Sequence, residues 1–166
     1  MATTETVLHH LTDKRFVGVT PDGMRVMIDG ERDHKTGMSP MQLVLNAVAG
    51  CAAYDVVEML RKRKLTVRGY RVEAAGERAE GTPSPFTKVH TRHVFDVPGL
   101  DQRTAERFVE LAVTKYCSVA SSLHAEMTFE AVLEHADEDA DEDVAEAGAT
   151  SGPVGEPAEA TTADDA

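Results

Sequence analysis

Alternating and β-rich runs of residues predict a hairpin near the start of the chain. Residues 16–19 and 24–28 are mostly apolar, and they flank the sequence Pro-Asp-Gly at 21–23. An Asp-Gly pair between two β-rich runs is a strong turn signal. We therefore predict a hairpin over residues 15–29, followed by a polar loop over 30–37.

A longer apolar stretch predicts a buried helix that begins at Pro40. Ser39 is a good N-cap, and a proline directly after it suits the first helical position. Residues 41–53 are apolar on almost every side, which is typical of a helix buried on all faces. Because one small subunit has difficulty surrounding such a helix, the pattern indicates an interlocked dimer. The helix is expected to run to about Lys64.

The rest of the chain predicts further strands and helices. Gly and Pro at 81–85 interrupt one β-rich region, and Pro98-Gly99 ends the next. The predicted elements are strands at 66–79 and 86–97, a helix at 101–116, a helical turn at 118–123 and a strand at 127–133. This order of strands and helices is that of an α+β protein.

Composition indicates one folded domain with an acidic extension. The chain has 166 residues, 42% of them hydrophobic, and a net charge of -12. Residues 136–166 hold eleven acidic residues and no Lys or Arg, which leaves 18 acidic and 17 basic residues in 1–135. We therefore predict a domain over 1–135 and a disordered tail over 136–166, which serves either as a solubilising segment or as an interaction segment.

Charge and hydropathy disfavour two classes of partner. A nearly neutral domain lacks the basic face that nucleic-acid binding requires. The basic run at 61–64 suits a helix C-terminus, and a nucleic-acid patch is the alternative interpretation. No apolar run approaches the roughly 18 residues of a membrane span, and no secretory signal is recognisable. A cytoplasmic location is expected.

Cys51 and Cys117 are the candidate reactive residues. Neither belongs to a CxxC pair, so zinc binding and thioredoxin-like chemistry are not indicated. Each can be an inert core thiol, or the two can meet in the fold. A reactive thiolate needs a nearby cation, and for Cys51 that cation must come from another segment or another subunit. His90 and His93 are expected on opposite faces of one strand, which argues against a shared metal. His9 and His10 are expected in a mobile N-terminus.

Two separated cysteine motifs resemble the signatures of the OsmC/Ohr family. The first motif comprises SPMQLVL at 39–45 and AGCAAYDVV at 49–57, and the second is KYCSVA at 115–120. The stretches GER at 76–78 and PSPFTKV at 83–89 resemble the YhfA-like branch of that family. The resemblance covers residues 12–134.

The resemblance implies an OsmC-like fold: an antiparallel sheet wrapped around long buried central helices in an intertwined homodimer. It also implies a thiol peroxidase that reduces organic hydroperoxides in oxidative or osmotic stress defence. Cys51 would be the peroxidatic residue and Cys117 the resolving residue. No cofactor or metal is implied, and an external dithiol would reduce the resulting disulfide.

The sequence departs from the family pattern at one position. A glutamate usually follows the proline of the first motif and holds an arginine over the reactive thiol, but here the residue is Met41. Lys14, Arg15 and Arg78 are the candidate cations in its absence. The departure also keeps open a second function: a non-catalytic dimer whose apolar interface pockets bind a small molecule.

Overall fold

The computed structural model describes residues 3–134, so the predicted acidic tail at 136–166 lies outside the described residues. This part of the chain forms six strands, three α-helices and one π-helical segment. They are β1 (Val7–Thr12), β2 (Arg15–Val19), β3 (Arg25–Asp29), α1 (Pro40–Lys62), β4 (Gly69–Arg78), β5 (Phe86–Asp96), α2 (Gln102–Leu111), the π-helical segment (Ala112–Tyr116), α3 (Ser118–Ser121) and β6 (Glu126–Leu133).

The first sheet is antiparallel, in the order β1-β2-β3. Its β2–β3 hairpin confirms the predicted one, and Gly23 in its turn has a φ of 88°, which favours glycine. β1 was not predicted, and the expectation of a mobile segment around His9 and His10 is wrong. The His10 ring packs 5.3 Å from that of Phe16, and its Nε2 is hydrogen-bonded to the backbone oxygen of Asp13 at 3.0 Å. β1 is exposed along its whole length, so it carries no alternation to reveal it.

Helix α1 starts where the sequence predicts, because a capping box closes its first turn. The Gln42 N–H donates to Ser39 Oγ, and the Ser39 N–H donates to the Gln42 side chain at 2.9 Å. The helix ends at Lys62, two residues earlier than expected. One side is buried in the chain, whereas Tyr54 is 82% exposed. A single subunit therefore does not bury all faces of the helix.

Helix α1 also corrects the expectation that no segment is as long and apolar as a membrane span. Among the described residues it is the one helix that is long and apolar enough to cross a membrane, by length and composition alone. The core helix of a soluble protein has the same properties.

The second sheet has the order β4-β5-β6, and it is mixed rather than antiparallel. β4 and β5 are antiparallel, but β5 and β6 are parallel. A parallel pair needs a crossover connection, which α2, the π-helical segment and α3 provide. The α+β class is thus correct, and the expected antiparallel sheet is replaced by two three-stranded sheets.

The core lies between the second sheet and helices α1 and α2. Ala52, Val56 and Leu60 from α1 meet Phe95 of β5 and Phe108 of α2. The opposite face of the sheet carries a chain of ion pairs that includes Arg71–Glu134 at 2.7 Å and Arg92–Glu73 at 3.1 Å. The second sheet therefore has an apolar inner face, which positions α1 and the segment after α2.

Candidate active site

Cys51 lies on α1, eleven residues after Pro40, which is about 16 Å along the helix axis. Its side chain is half-buried. The residues around it that face the core, Val48 and Ala52, are fully buried. Cys51 is thus on the border between the buried and exposed sides of the helix.

Cys117 follows the π-helical segment. The sequence predicts one helix over 101–116, but the α-helix ends at Leu111 and a π turn continues to Tyr116. The Cys117 N–H closes that turn on Ala112 O at 2.9 Å, five residues back. Cys117 is 4% exposed, and its Sγ accepts a hydrogen bond from the Ala120 N–H at 3.2 Å. Single-turn π insertions of this kind are common at functional sites.

The structure brings the two cysteines together. The Cys117 thiol donates to Val48 O, in the turn of α1 that precedes Cys51, at 3.9 Å. Burial raises the pKa of the Cys117 thiol, and the interaction with the Cys51 thiol raises it further. Both thiols are free. Cys51 and Cys117 are therefore side by side in one chain, while their peroxidatic and resolving roles remain predictions.

Arg15 is fixed by a buried carboxylate. Its Nε donates to Asp29 Oδ2 at 3.0 Å, and Asp29 is completely buried. Asp29 also accepts hydrogen bonds from the backbone N–H groups of Thr36 and Glu31, both at 2.8 Å. These two bonds, with that from Arg15, hold the pKa of Asp29 well below its usual range. The guanidinium is anchored a second time by His34 O at 3.2 Å.

The other candidate cations are less constrained. Lys14 is exposed, and the hydrogen bonds in this region involve its backbone rather than its amine. Arg78 is exposed at the end of β4, where its Nε donates to Ser84 O at 2.8 Å. Within residues 3–134, none of Lys14, Arg15 and Arg78 forms a hydrogen bond with Cys51. The structure thus brings the cysteines together, but within the described residues it forms no hydrogen bond between Cys51 and any of these three candidate cations.

Cys117 is one of the residues that line a surface cleft of about 260 Å³. The π-helical segment, α3 and Met127 of β6 line it. The sequence analysis did not identify this cleft, because it depends on the π turn and on β6 packing beside it. No local pattern marks either feature.

His93 forms a buried polar group with two neighbours. It is hydrogen-bonded to the Tyr70 hydroxyl through Nδ1 at 2.7 Å and to Thr91 Oγ1 through Nε2 at 3.3 Å. Burial lowers the pKa of His93 to about 4. His90 lies on the other face of the strand, as the sequence predicts, and is hydrogen-bonded to Thr128. Among residues 3–134, no three His, Cys, Asp or Glu side chains could together hold a metal ion.

A comparison with known proteins shows the family of this chain. The sequence profile of the OsmC-like proteins matches residues 30–132, which is more than half of the chain and includes both cysteines. The chain belongs to the OsmC-like family. Protein YhfA of Escherichia coli K12 is 36% identical to this OsmC-like protein over 108 residues, which are 65% of the chain and 80% of YhfA. The resemblance to the OsmC/Ohr family and its YhfA-like branch is confirmed.

Solved structures agree with the OsmC-like fold. A hypothetical protein from Aquifex aeolicus superimposes with a TM-score of 0.65 at 24% identity, covering 81% of this chain and all of that one. An organic hydroperoxide resistance protein OsmC from Legionella pneumophila, also described as a predicted redox protein, gives a TM-score of 0.55 at 16% identity. That match covers 81% of this chain and 99% of the Legionella protein. At these identities the two matches establish the fold alone.

Proposed function

We propose that this OsmC-like protein is a thiol peroxidase that reduces organic hydroperoxides in oxidative or osmotic stress defence. The observation that carries the proposal is the packing of Cys117 against the turn of α1 next to Cys51, where the Cys117 thiol donates to Val48 O at 3.9 Å. Relatives of the same fold include a protein described as an organic hydroperoxide resistance protein, which supports this chemistry.

The surroundings of the thiols favour Cys51 as the attacking residue. The thiolate is the nucleophile, and burial of Cys117 disfavours its thiolate. In the proposed cycle the Cys51 thiolate attacks the O–O bond, an alcohol leaves, and Cys51 becomes a sulfenic acid. The Cys117 thiol then condenses with it, water leaves, and a disulfide forms within one chain. An external dithiol reduces that disulfide and is itself oxidised.

An intertwined homodimer would complete the site. Large apolar side chains are exposed on α1 and on the first sheet, among them Tyr54, Val57, Val7, Leu8 and Val26. The first sheet packs mainly on itself rather than on α1 of the same chain. In the proposed dimer these surfaces meet, and Arg15 of one subunit lies beside Cys51 of the other. A cytoplasmic location suits a cycle that needs reduced thiols.

Purified full-length protein with a dithiol tests this function. We expect consumption of cumene hydroperoxide, with no turnover by Cys51→Ser. Without the dithiol, Cys117→Ser should react with about one equivalent of peroxide and then stop at a sulfenic acid. Intact-mass measurement should show that the wild type loses two hydrogens per chain after one equivalent. Unchanged activity of Cys51→Ser contradicts the proposal.

A second candidate function is a non-catalytic binding protein. A mainly apolar cleft of about 280 Å³ on the first sheet favours it, since Val7, Leu8, Val19 and Val26 are among the residues that line it. Native mass spectrometry of freshly purified protein separates the two functions. A copurifying apolar ligand together with thiols that do not react with peroxide supports binding, whereas the loss of two hydrogens supports catalysis.

A further inference from the structure

Cys117 is flanked by two different surroundings. On one side it contacts α1, through Val48 O and the Cys51 thiol. Its other side opens into the cleft of about 260 Å³ that the π-helical segment, α3 and Met127 line, and α1 contributes no residue to this lining. At roughly 30 Å³ for each water molecule, the cleft has room for an incoming thiol.

We propose that the reductant enters through this cleft and attacks Sγ of Cys117, so that peroxide and reductant reach the cysteine pair from different sides. The inference rests on the proposed function, because it concerns the disulfide formed in that cycle. It assigns to Cys117 a second role as the point of reductive attack.

The direction of attack follows from the chemistry of disulfide exchange. A thiolate displaces the leaving sulfur in line, so it must approach Cys117 from the side opposite to Cys51. The cleft is lined by the π-helical segment, α3 and Met127 and by no residue of α1, the helix that carries Cys51. A sulfur–sulfur bond forms between reductant and Cys117, the Cys51–Cys117 bond breaks, and its electron pair leaves on Cys51 as a thiolate. The second thiol of the reductant then attacks the mixed disulfide and releases the Cys117 thiolate, which takes up a proton.

The identity of the leaving thiolate also favours attack on Cys117. Exchange is faster when the leaving thiol has the lower pKa, and burial raises the pKa of Cys117. Attack on Cys51 would have to expel this disfavoured thiolate, whereas attack on Cys117 expels Cys51. The position of the cleft and the choice of leaving group therefore agree.

Lys115 supplies a positive charge to the cleft. It is exposed and lines the cleft, and its Nζ lies 5.5 Å from the centre of the Tyr116 ring. An approaching thiolate is negatively charged, so the ammonium group favours its entry. Lys115 thus acts as a positioning residue for the reductant.

Mapping of a trapped mixed disulfide tests the attacked sulfur. The disulfide is formed with diamide, without peroxide, and is then treated with 2-mercaptoethanol, quenched in acid and alkylated with N-ethylmaleimide. Peptide mass spectrometry should find the mercaptoethanol adduct on Cys117 and the maleimide on Cys51. The reverse labelling overturns the inference while leaving peroxide reduction untouched. Failure of peroxide, but not diamide, to form the disulfide overturns the proposed function instead.

Two variants test the route. Thr114→Trp fills the cleft and should slow mixed-disulfide formation by about tenfold without slowing oxidation by peroxide. Lys62→Trp, at an exposed helical position outside the cleft, is the matched control and should change neither rate. Equal rates for the two variants overturn the cleft as the route.

The charge of the thiol tests Lys115. Lys115→Gln should slow exchange with 2-mercaptoethanesulfonate, whose thiolate carries two negative charges, more than with 2-mercaptoethanol, whose thiolate carries one. The difference should shrink at high salt. The same slowing for both reagents overturns the role of this amine.

Discussion

At the scale of single residues, Asp29 is a buried carboxylate whose charge is maintained by hydrogen bonds. The backbone N–H groups of Thr36 and Glu31 contribute most to its lowered pKa. The same carboxylate fixes Arg15, which His34 O also holds. Among Lys14, Arg15 and Arg78, Arg15 is therefore the cation whose orientation the fold determines most closely.

Replacement of Arg15 should slow the oxidation of Cys51. We expect Arg15→Gln to lower the second-order rate with cumene hydroperoxide by about tenfold, or roughly 1.4 kcal/mol, because the thiolate loses the cation that Arg15 supplies across the interface of the proposed dimer. Lys14→Gln and Arg78→Gln serve as matched controls and should stay close to wild type. Stopped-flow measurement of sulfenic acid formation gives the rates. A larger effect from Arg78→Gln would assign the cation to β4 instead.

His93 is the second buried group with a shifted pKa. It is neutral in the folded chain, where burial lowers its pKa from 6.5 to about 4. As the pH falls below 6.5, the unfolded chain gains a proton that the folded chain does not take up. Stability is therefore fully present above pH 6.5 and decreases between 6.5 and about 4.

This difference should appear in acid titrations of stability. We expect the His93 contribution to the free energy of unfolding to fall by about 2 kcal/mol between pH 7 and pH 4.5. His93→Gln should lack this decrease, whereas His90→Gln, on the exposed face of the same strand, should keep it. Denaturant unfolding at several pH values provides the measurement. A parallel decrease in His93→Gln would show that other groups cause it.

At the scale of elements, local signals explain which segments the sequence predicts. Ser39-Pro40 and the turn at Gly23 act through contacts within a few residues, so α1 and the β2–β3 hairpin are found. β1 has no buried face in the chain to reveal it. The π turn at 112–116 depends on how Cys117 packs against α1, and no residue pattern in the segment distinguishes it from an α-helix.

Helix α1 has two sides on which the replacement of a large side chain by alanine should have different effects. Leu60→Ala removes a fully buried side chain from the core and should cost about 2 to 5 kcal/mol of subunit stability. Tyr54→Ala removes an exposed side chain, so it should weaken the proposed dimer and leave the subunit core intact. Denaturant unfolding and sedimentation equilibrium distinguish the two effects. If Tyr54→Ala dimerises as tightly as the wild type, the dimer contact lies elsewhere.

At the scale of the whole molecule, the family and the α+β class could be predicted because two motifs and the order of elements agree. The proximity of Cys51 and Cys117 could not be derived from their positions, which are sixty-six residues apart. It results from the second sheet, which holds α1 and the segment after α2 on one face. The parallel β5–β6 pair depends on the same long-range crossover.

A disulfide across this distance should stabilise the whole domain. Closing a loop of this length restricts the unfolded chain and is worth up to about 4 kcal/mol. We expect the diamide-oxidised wild type to unfold at higher denaturant concentration than the reduced protein, and Cys51→Ser to show no such change. Lower stability after oxidation would mean that the bond strains the native arrangement.

The π turn before Cys117 has a consequence for insertions and deletions. A π turn amounts to one residue more than an α-helix needs at that place, and each residue of an α-helix turns the chain by about 100°. Loss of one residue from 112–116 would therefore restore a regular helix and leave Cys117 facing the same way, whereas insertion of one more residue would rotate its sulfur away from Cys51. Family members that share this chemistry should tolerate the loss of a residue in this segment far more readily than a gain.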